Sequence, residues 1–203
     1  MVTSVETLHP VEIRVLGALI EKDITTPEYY PLTVNSLQNA CNQKSSRDPV
    51  VQFDERMVEQ ALEILQNKHL VVRISGTGHR VEKFAHRLGE VLNLGRREMA
   101  LLCVLMLRGP QTVGELRGRT ERMHDFNDLD EVERVLETLE RSELVTRASR
   151  GRWMQLLGGA VEVEDSQPEV APRTSLEGRV ALLEKDLERL KQQLQEKLGE
   201  RFE

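Results

Sequence analysis

The chain contains the same unit twice. Phe53-Asp54 to Arg73 matches Phe126-Asn127 to Arg147, pairing Val58 with Val132, Leu62 with Leu136, Leu65 with Leu139 and Leu70-Val71 with Leu144-Val145. Upstream, Leu32-Thr33-Val34-Asn35-Ser36-Leu37 resembles Gln111-Thr112-Val113-Gly114-Glu115-Leu116, and an apolar helical segment precedes each of these words. A duplicated small unit constrains the fold more strongly than any single motif.

In the first copy, Ile13, Leu16, Leu19 and Ile20 recur at helical spacing after Pro10, a favourable first-turn residue. Thr25-Thr26-Pro27 and Tyr30-Pro31 stop that helix, which is expected to end near Lys22. Thr33 then caps a short helix that turns Val34, Leu37, Ala40 and Cys41 inward. After the polar loop Asn42 to Pro49, Met57, Val58, Ala61, Leu62 and Leu65 form the apolar stripe of a third helix. Leu70 to Ile74 and Arg80 to Phe84 alternate like strands across Ser75-Gly76-Thr77-Gly78. The second copy repeats the plan with shorter connections. Met99, Leu102, Leu105 and Met106 mark its first helix, and Val113 and Leu116 its short one. Val132, Val135, Leu136 and Leu139 face inward from the third, and a hairpin turns at Ser149-Arg150-Gly151 with Trp153 over the core. Helix, short helix, longer helix and hairpin, in that order, is the winged form of the helix-turn-helix.

The expected fold class is therefore mainly α with small β-hairpins (α+β). It comprises a first winged-helix domain over 1–90, a second over 91–158, a flexible linker over 159–175 and a heptad helix over 176–203. In the last segment Leu176, Val180, Leu183, Leu187, Leu190 and Leu194 fall at alternating steps of four and three, the seam of a coiled coil. Gly178 costs that helix about 1 kcal/mol against alanine, and three heptads are marginal alone. The segment either pairs with a second copy, giving a homodimer, or lies back on its own domain; the unbroken seam favours pairing.

Aromatic residues make up only 3%, so the cores must be built from aliphatic side chains. A net charge of −6, concentrated in the tail and leaving the copies nearly neutral, argues against a wholesale electrostatic grip on nucleic acid or an anionic membrane. The longest apolar run, Met99 to Leu107, stops well short of the ~18 residues needed to span a bilayer. No signal-peptide core precedes Arg14, and Cys41 and Cys103 lack partners at ligand or redox spacing. A soluble cytoplasmic protein without metal or cofactor is expected. Motifs for nucleotide hydrolysis, serine hydrolysis and zinc peptidase chemistry are absent from the sequence, which speaks against an enzyme.

Several long words carry a resemblance. They are Glu12-x-Arg14-Val15-Leu16-Gly17, Leu19-Ile20-Glu21-Lys22, Thr25-Thr26-Pro27-Glu28, Tyr30-Pro31-Leu32-Thr33 and Ala40 to Arg47 with Pro49-Val50, then Leu107 to Thr112 and Gly114-Glu115-Leu116-Arg117-x-Arg119. Over roughly residues 8 to 157 the chain resembles the YceH family of bacterial proteins. The resemblance implies tandem winged-helix domains in a cytoplasmic bacterial protein and brings no chemistry with it. The chain departs from the family in the second wing, where Arg147 to Leu156 is the shorter hairpin.

A winged helix-turn-helix normally lays its third helix in the major groove. Here Asp54, Glu55, Glu59 and Glu63 face Arg56 and Lys68, and Asp128, Asp130, Glu131, Glu133, Glu137 and Glu140 face only Arg134 and Arg141. Such carboxylate rows are repelled by phosphate. The candidate contacts are instead Lys44 and Arg47 in the first loop, Arg73, Arg80, Lys83 and Arg87 around the first wing, Arg117, Arg119 and Arg122 after the second short helix, and Arg147, Arg150 and Arg152 on the second wing. Together they suit a backbone grip that reads shape more than bases. The bland alternative is dispersed, solvated charge, including an Arg119 pair with Glu115. The expected partner is double-stranded DNA for a regulatory factor, or, in the competing reading, a protein docking on the acidic third helices.

Overall fold

Helix α1 (Pro10–Thr25) starts on the proline that the sequence marks, and it runs one turn beyond the expected end. The extra turn closes with the Thr26 amide donating to the Lys22 carbonyl (3.0 Å), and both threonine hydroxyls fold back on it, Thr25 Oγ1 donating to the Glu21 carbonyl (2.7 Å) and Thr26 Oγ1 to the Lys22 carbonyl (3.2 Å). A short 3-10 turn (Pro27–Tyr29) leads to α2 (Val34–Cys41), whose first turn is capped by Thr33 accepting from the Ser36 amide. Helix α3 (Glu55–Asn67) is capped by Asp54 and buries Val58, Ala61, Leu62 and Leu65. A hairpin of β1 (Val71–Ile74) and β2 (Lys83–His86) closes the first copy. The computed structural model describes residues 6–74 and 81–159; the tip residues 75–80, the linker beyond Gly159 and the heptad segment, with its six seam positions, lie outside them.

A five-residue helix, α4 (Leu88–Leu92), leads to the second copy. This copy consists of α5 (Arg96–Arg108), β3 (Gln111–Thr112), α6 (Val113–Thr120), α7 (Leu129–Arg141), β4 (Val145–Ala148) and β5 (Arg152–Gln155). Its caps stand where the repeat requires them: Thr112 and Glu115 form a reciprocal capping box on α6, and Asp128 caps α7. The described residues thus form an α+β fold of seven α-helices with two small antiparallel sheets, ordered β1-β2 and β3-β5-β4.

The second strand of the first hairpin sits later than the expected Arg80 to Phe84. Main-chain bonds dictate this: Phe84 and Leu32 exchange amide-to-carbonyl bonds (2.7 and 3.1 Å), and the Arg87 amide donates to the Leu70 carbonyl at the hairpin base (2.8 Å). In the second copy Gln111 pairs with Trp153 as Leu32 pairs with Phe84. Each hairpin therefore places one buried aromatic over its helices, Trp153 being 1% exposed as the sequence leads one to expect.

The sequence reading gives each copy its own modest core. In the structure the copies lie within one compact unit whose core is continuous. Helix α1 is buried from Glu12 to Ile20 and α5 from Met99 to Leu107, without a solvent face across either stretch. Helices buried all round are interior helices, and these two pack on each other. Gly17 permits the approach: a β-carbon there would stand 3.1 Å from Leu107 Cδ2 and 3.2 Å from Met106 Cβ. The Cys103 thiol donates to the Gly17 carbonyl (3.4 Å), and the Asp48 amide to the Leu107 carbonyl (3.0 Å). Gly17→Val should overpack this seam and lower unfolding stability by about 1–3 kcal/mol, read as a lower urea midpoint. An unchanged midpoint would show that the two helices part easily.

Candidate functional site

Where the two copies meet, four segments surround a groove of about 470 Å³. The end of α1 supplies Glu21 and Lys22, the loop after α2 supplies Lys44, the end of α5 supplies Arg108, and α6 with its following turn supplies Arg119 and Arg122. Val104, Leu107 and Met123 form apolar walls.

Glu21 is the one carboxylate among the lining residues, and its charge is already matched. Arg47 Nη2 donates to Glu21 Oε2 (2.6 Å) and Nη1 to Oε1 (3.0 Å), the bidentate geometry that suits guanidinium and carboxylate. Burial pushes the Glu21 carboxyl up, but the hydrogen bonds and charge of Arg47 outweigh it and hold the group below the ordinary carboxylate value. The groove therefore keeps the positive charge of Lys22, Lys44, Arg108, Arg119 and Arg122. Lys22 Nζ stands 3.6 Å from Glu21, and Arg119 Nη2 3.4 Å from Glu115. Burial, and after it the neighbouring cations Arg119 and Arg47, lower the pKa of Arg108, with Glu21 and Asp48 opposing them.

Arg47 is a correction to the expected contact set. Its side chain is fully buried, and beyond Glu21 it donates to the carbonyls of Ala40 and Ser46 and to Gln43 Oε1. No donor direction is left for a ligand, because the loop folds over the guanidinium. The loop divides accordingly. Asn42 clamps Phe53 by accepting from its amide and donating to its carbonyl (both 2.8 Å), while Lys44, Ser45 and Ser46 stay exposed along the groove. Arg14 holds the same loop from beneath, donating to the carbonyls of Pro49 (2.7 Å) and Cys41 (3.3 Å).

The remaining candidates separate into groups. Arg117 binds the carbonyls of Phe126 and Asn127 and shapes the turn between α6 and α7. Around the first hairpin Arg73 pairs with Glu82 (2.8 Å) and Arg87 with Glu90 (2.9 Å), while Lys83 is half-buried; Arg80 lies outside the described residues. On the second hairpin Arg147 lies over the Trp153 ring at 4.5 Å, and Arg152 donates to the Pro110 carbonyl and Glu115. Arg150, with φ 60°, stands exposed at the tip. Of the expected set, Lys44, Arg119 and Arg122 converge on the groove. Lys22 and Arg108, missed in the sequence, join them; each is the basic residue of the last turn of its copy's first helix. The outward faces of α3 and α7 carry Glu55, Glu59, Glu63, Asp130, Glu133 and Glu137, all exposed.

Among the described residues no cluster of three or more histidines, cysteines or carboxylates is placed to hold a metal ion, and no helix is long and apolar enough to cross a membrane.

Fold and groove together define a class: an α+β protein built from two copies of a helix-and-hairpin unit that share one core and a basic cleft. Within that class the chain belongs to the DUF480 family, described as "Protein of unknown function, DUF480", which matches residues 8–152. It is 53% identical over 192 residues to a UPF0502 protein of Solibacter usitatus, covering 91% of this chain and 93% of that one. It is 49% identical to a UPF0502 protein of Opitutus terrae, covering 91% and 83%, and 44% identical to one of Serratia proteamaculans, covering 91% and 92%. This membership bears out the resemblance to the YceH family, which is the UPF0502 family.

Proposed function

We propose that the chain is a non-enzymatic tandem winged-helix protein that associates with double-stranded DNA as a regulatory factor, gripping backbone phosphates from the groove and turn side. The observation that carries the reading is the convergence of Lys22, Lys44, Arg108, Arg119 and Arg122 on one cleft while both third helices turn carboxylates outward. Positive side chains on turns and wings position a protein on phosphate without reading bases. The second wing, with Arg147 and the exposed Arg150, supplies a further contact. The winged-helix assignment itself rests on the repeated order of helix, short helix, longer helix and hairpin.

Fluorescence anisotropy with a labelled duplex, repeated across salt concentrations, tests the reading. Several phosphate contacts predict an affinity that falls steeply as salt rises, with a log-log slope near −0.9 for each contact. Absent binding, or a response flat in salt, overturns it and favours the competing class, a protein partner docking on the acidic faces of α3 and α7.

The heptad seam read from the sequence supplies the proposed homodimer. Removing residues 166–203 should turn a dimer into a monomer by light scattering; an unchanged oligomer would rule out the seam as its cause.

A further inference from the structure

We propose that the groove between the copies is a binding site for a compact polyphosphate, of the kind carried by a nucleoside di- or triphosphate, and that such a ligand competes with DNA there. Competition rests on the DNA reading above; binding of the polyphosphate does not.

Size, charge and wall chemistry support the inference. At about 470 Å³ the groove falls within the range of small-molecule sites, roughly 300–1,000 Å³. Its five cations come from four segments, two in each copy, so they surround a volume instead of lining a flat track. The one carboxylate in the lining is neutralised by the buried Arg47. A single phosphodiester brings one negative charge, and successive phosphates on one DNA strand are spread at about 3.4 Å of axis each along a convex surface. A di- or triphosphate brings several charges into one small space and so matches the field the groove presents. Ser45 and Ser46 add exposed hydroxyls at the rim. The apolar floor, Val104, Leu107 and Met123, is itself nearly fully buried, so the phosphates are the part of a ligand that the groove recognises.

The elements around the groove suit a regulatory site. Lys22 and Lys44 belong to the first copy, Arg108, Arg119 and Arg122 to the second. An anion held there bridges the copies and neutralises the charges on which DNA association is proposed to depend. Binding of the small ligand is therefore expected to weaken DNA binding, and DNA to weaken the small ligand by the same factor.

The test is calorimetric titration of the full chain with inorganic triphosphate, with ATP and with adenosine, followed by duplex competition. Both phosphorylated ligands should bind saturably and adenosine should not. The K44A/R122A variant, altered at two exposed positions, should lose at least tenfold in affinity while keeping the wild-type melting temperature. ATP binding tighter than triphosphate would identify a nucleotide as the occupant; equal affinity would identify the polyphosphate alone. No saturable binding of either phosphorylated ligand at millimolar concentration, or binding unchanged in K44A/R122A, overturns the site. Saturable binding with no effect on a protein–duplex complex overturns the competition alone. Saturable binding in a chain that shows no duplex affinity leaves the site standing and removes the DNA reading.

Discussion

Replacing Arg47 with alanine is expected to lower the unfolding free energy by on the order of 3–5 kcal/mol, the range for breaking a buried ion pair from one side. The substitution leaves Glu21 beside the groove without its bidentate partner and strips the carbonyls of Ala40 and Ser46 of their donors. Urea unfolding of the two proteins measures the difference. A change below about 1 kcal/mol would class the pair with solvated surface pairs and remove Arg47 as the centre of the loop. The pH dependence has a definite sign. Glu21 is held below the ordinary carboxylate value of 4.5, so its contribution is complete above that pH and is lost as pH falls through the folded-state value. Arg47→Ala should therefore show a shallower acid limb below about pH 4.5 than the parent chain. A double-mutant cycle with Glu21→Leu separates the pair's coupling from the cost of leaving one charge buried.

Reversing two charges in the groove should have the largest effect on binding. R119E/R122E is expected to weaken duplex binding roughly 100-fold or more, because each charged contact is worth about 1.5–3 kcal/mol and tenfold corresponds to about 1.4 kcal/mol. Both side chains are exposed, so the fold should survive. The salt slope should flatten as well, by about one contact's worth for each site lost. Glu59→Gln and Glu137→Gln, on the outward faces of α3 and α7, should leave affinity intact or raise it slightly, since each removes a charge that phosphate repels. Loss of binding in these two variants with retention in R119E/R122E would place the contact on the third helices and reverse the assignment.

Much of the fold was legible in the chain because repetition and capping leave local signatures. Thr33 caps the helix for which the sequence names it, the structure adds Asp54, Thr112 and Asp128 as caps of the other helices that the apolar stripes mark, and Trp153 lies under its hairpin. Periodicity reveals that a face is buried but not what buries it. The near-continuous apolar run of α5 was therefore readable as core, while its packing against α1 across Gly17 was not. The shift of β2 to Lys83–His86 follows from a long-range bridge to Leu32, which no local alternation encodes.

The site was half legible, for the same reason. Lys44, Arg119 and Arg122 stood out by position in turns and at helix ends, and they do meet. Arg47 carried the same signal but points inward, because Glu21 and the Ala40 carbonyl lie beneath it. Lys22 and Arg108 looked like ordinary last-turn residues favoured by the helix dipole, and only the contact between the copies brings them to one cleft.

Amide hydrogen exchange of the full chain with and without a saturating duplex locates the contact. New protection is expected in residues 43–46 and 117–123 together, with the exposed outer turns of α3 and α7 unchanged. Protection confined to residues 55–67 or 129–141, with the two turns exchanging as before, would contradict this placement.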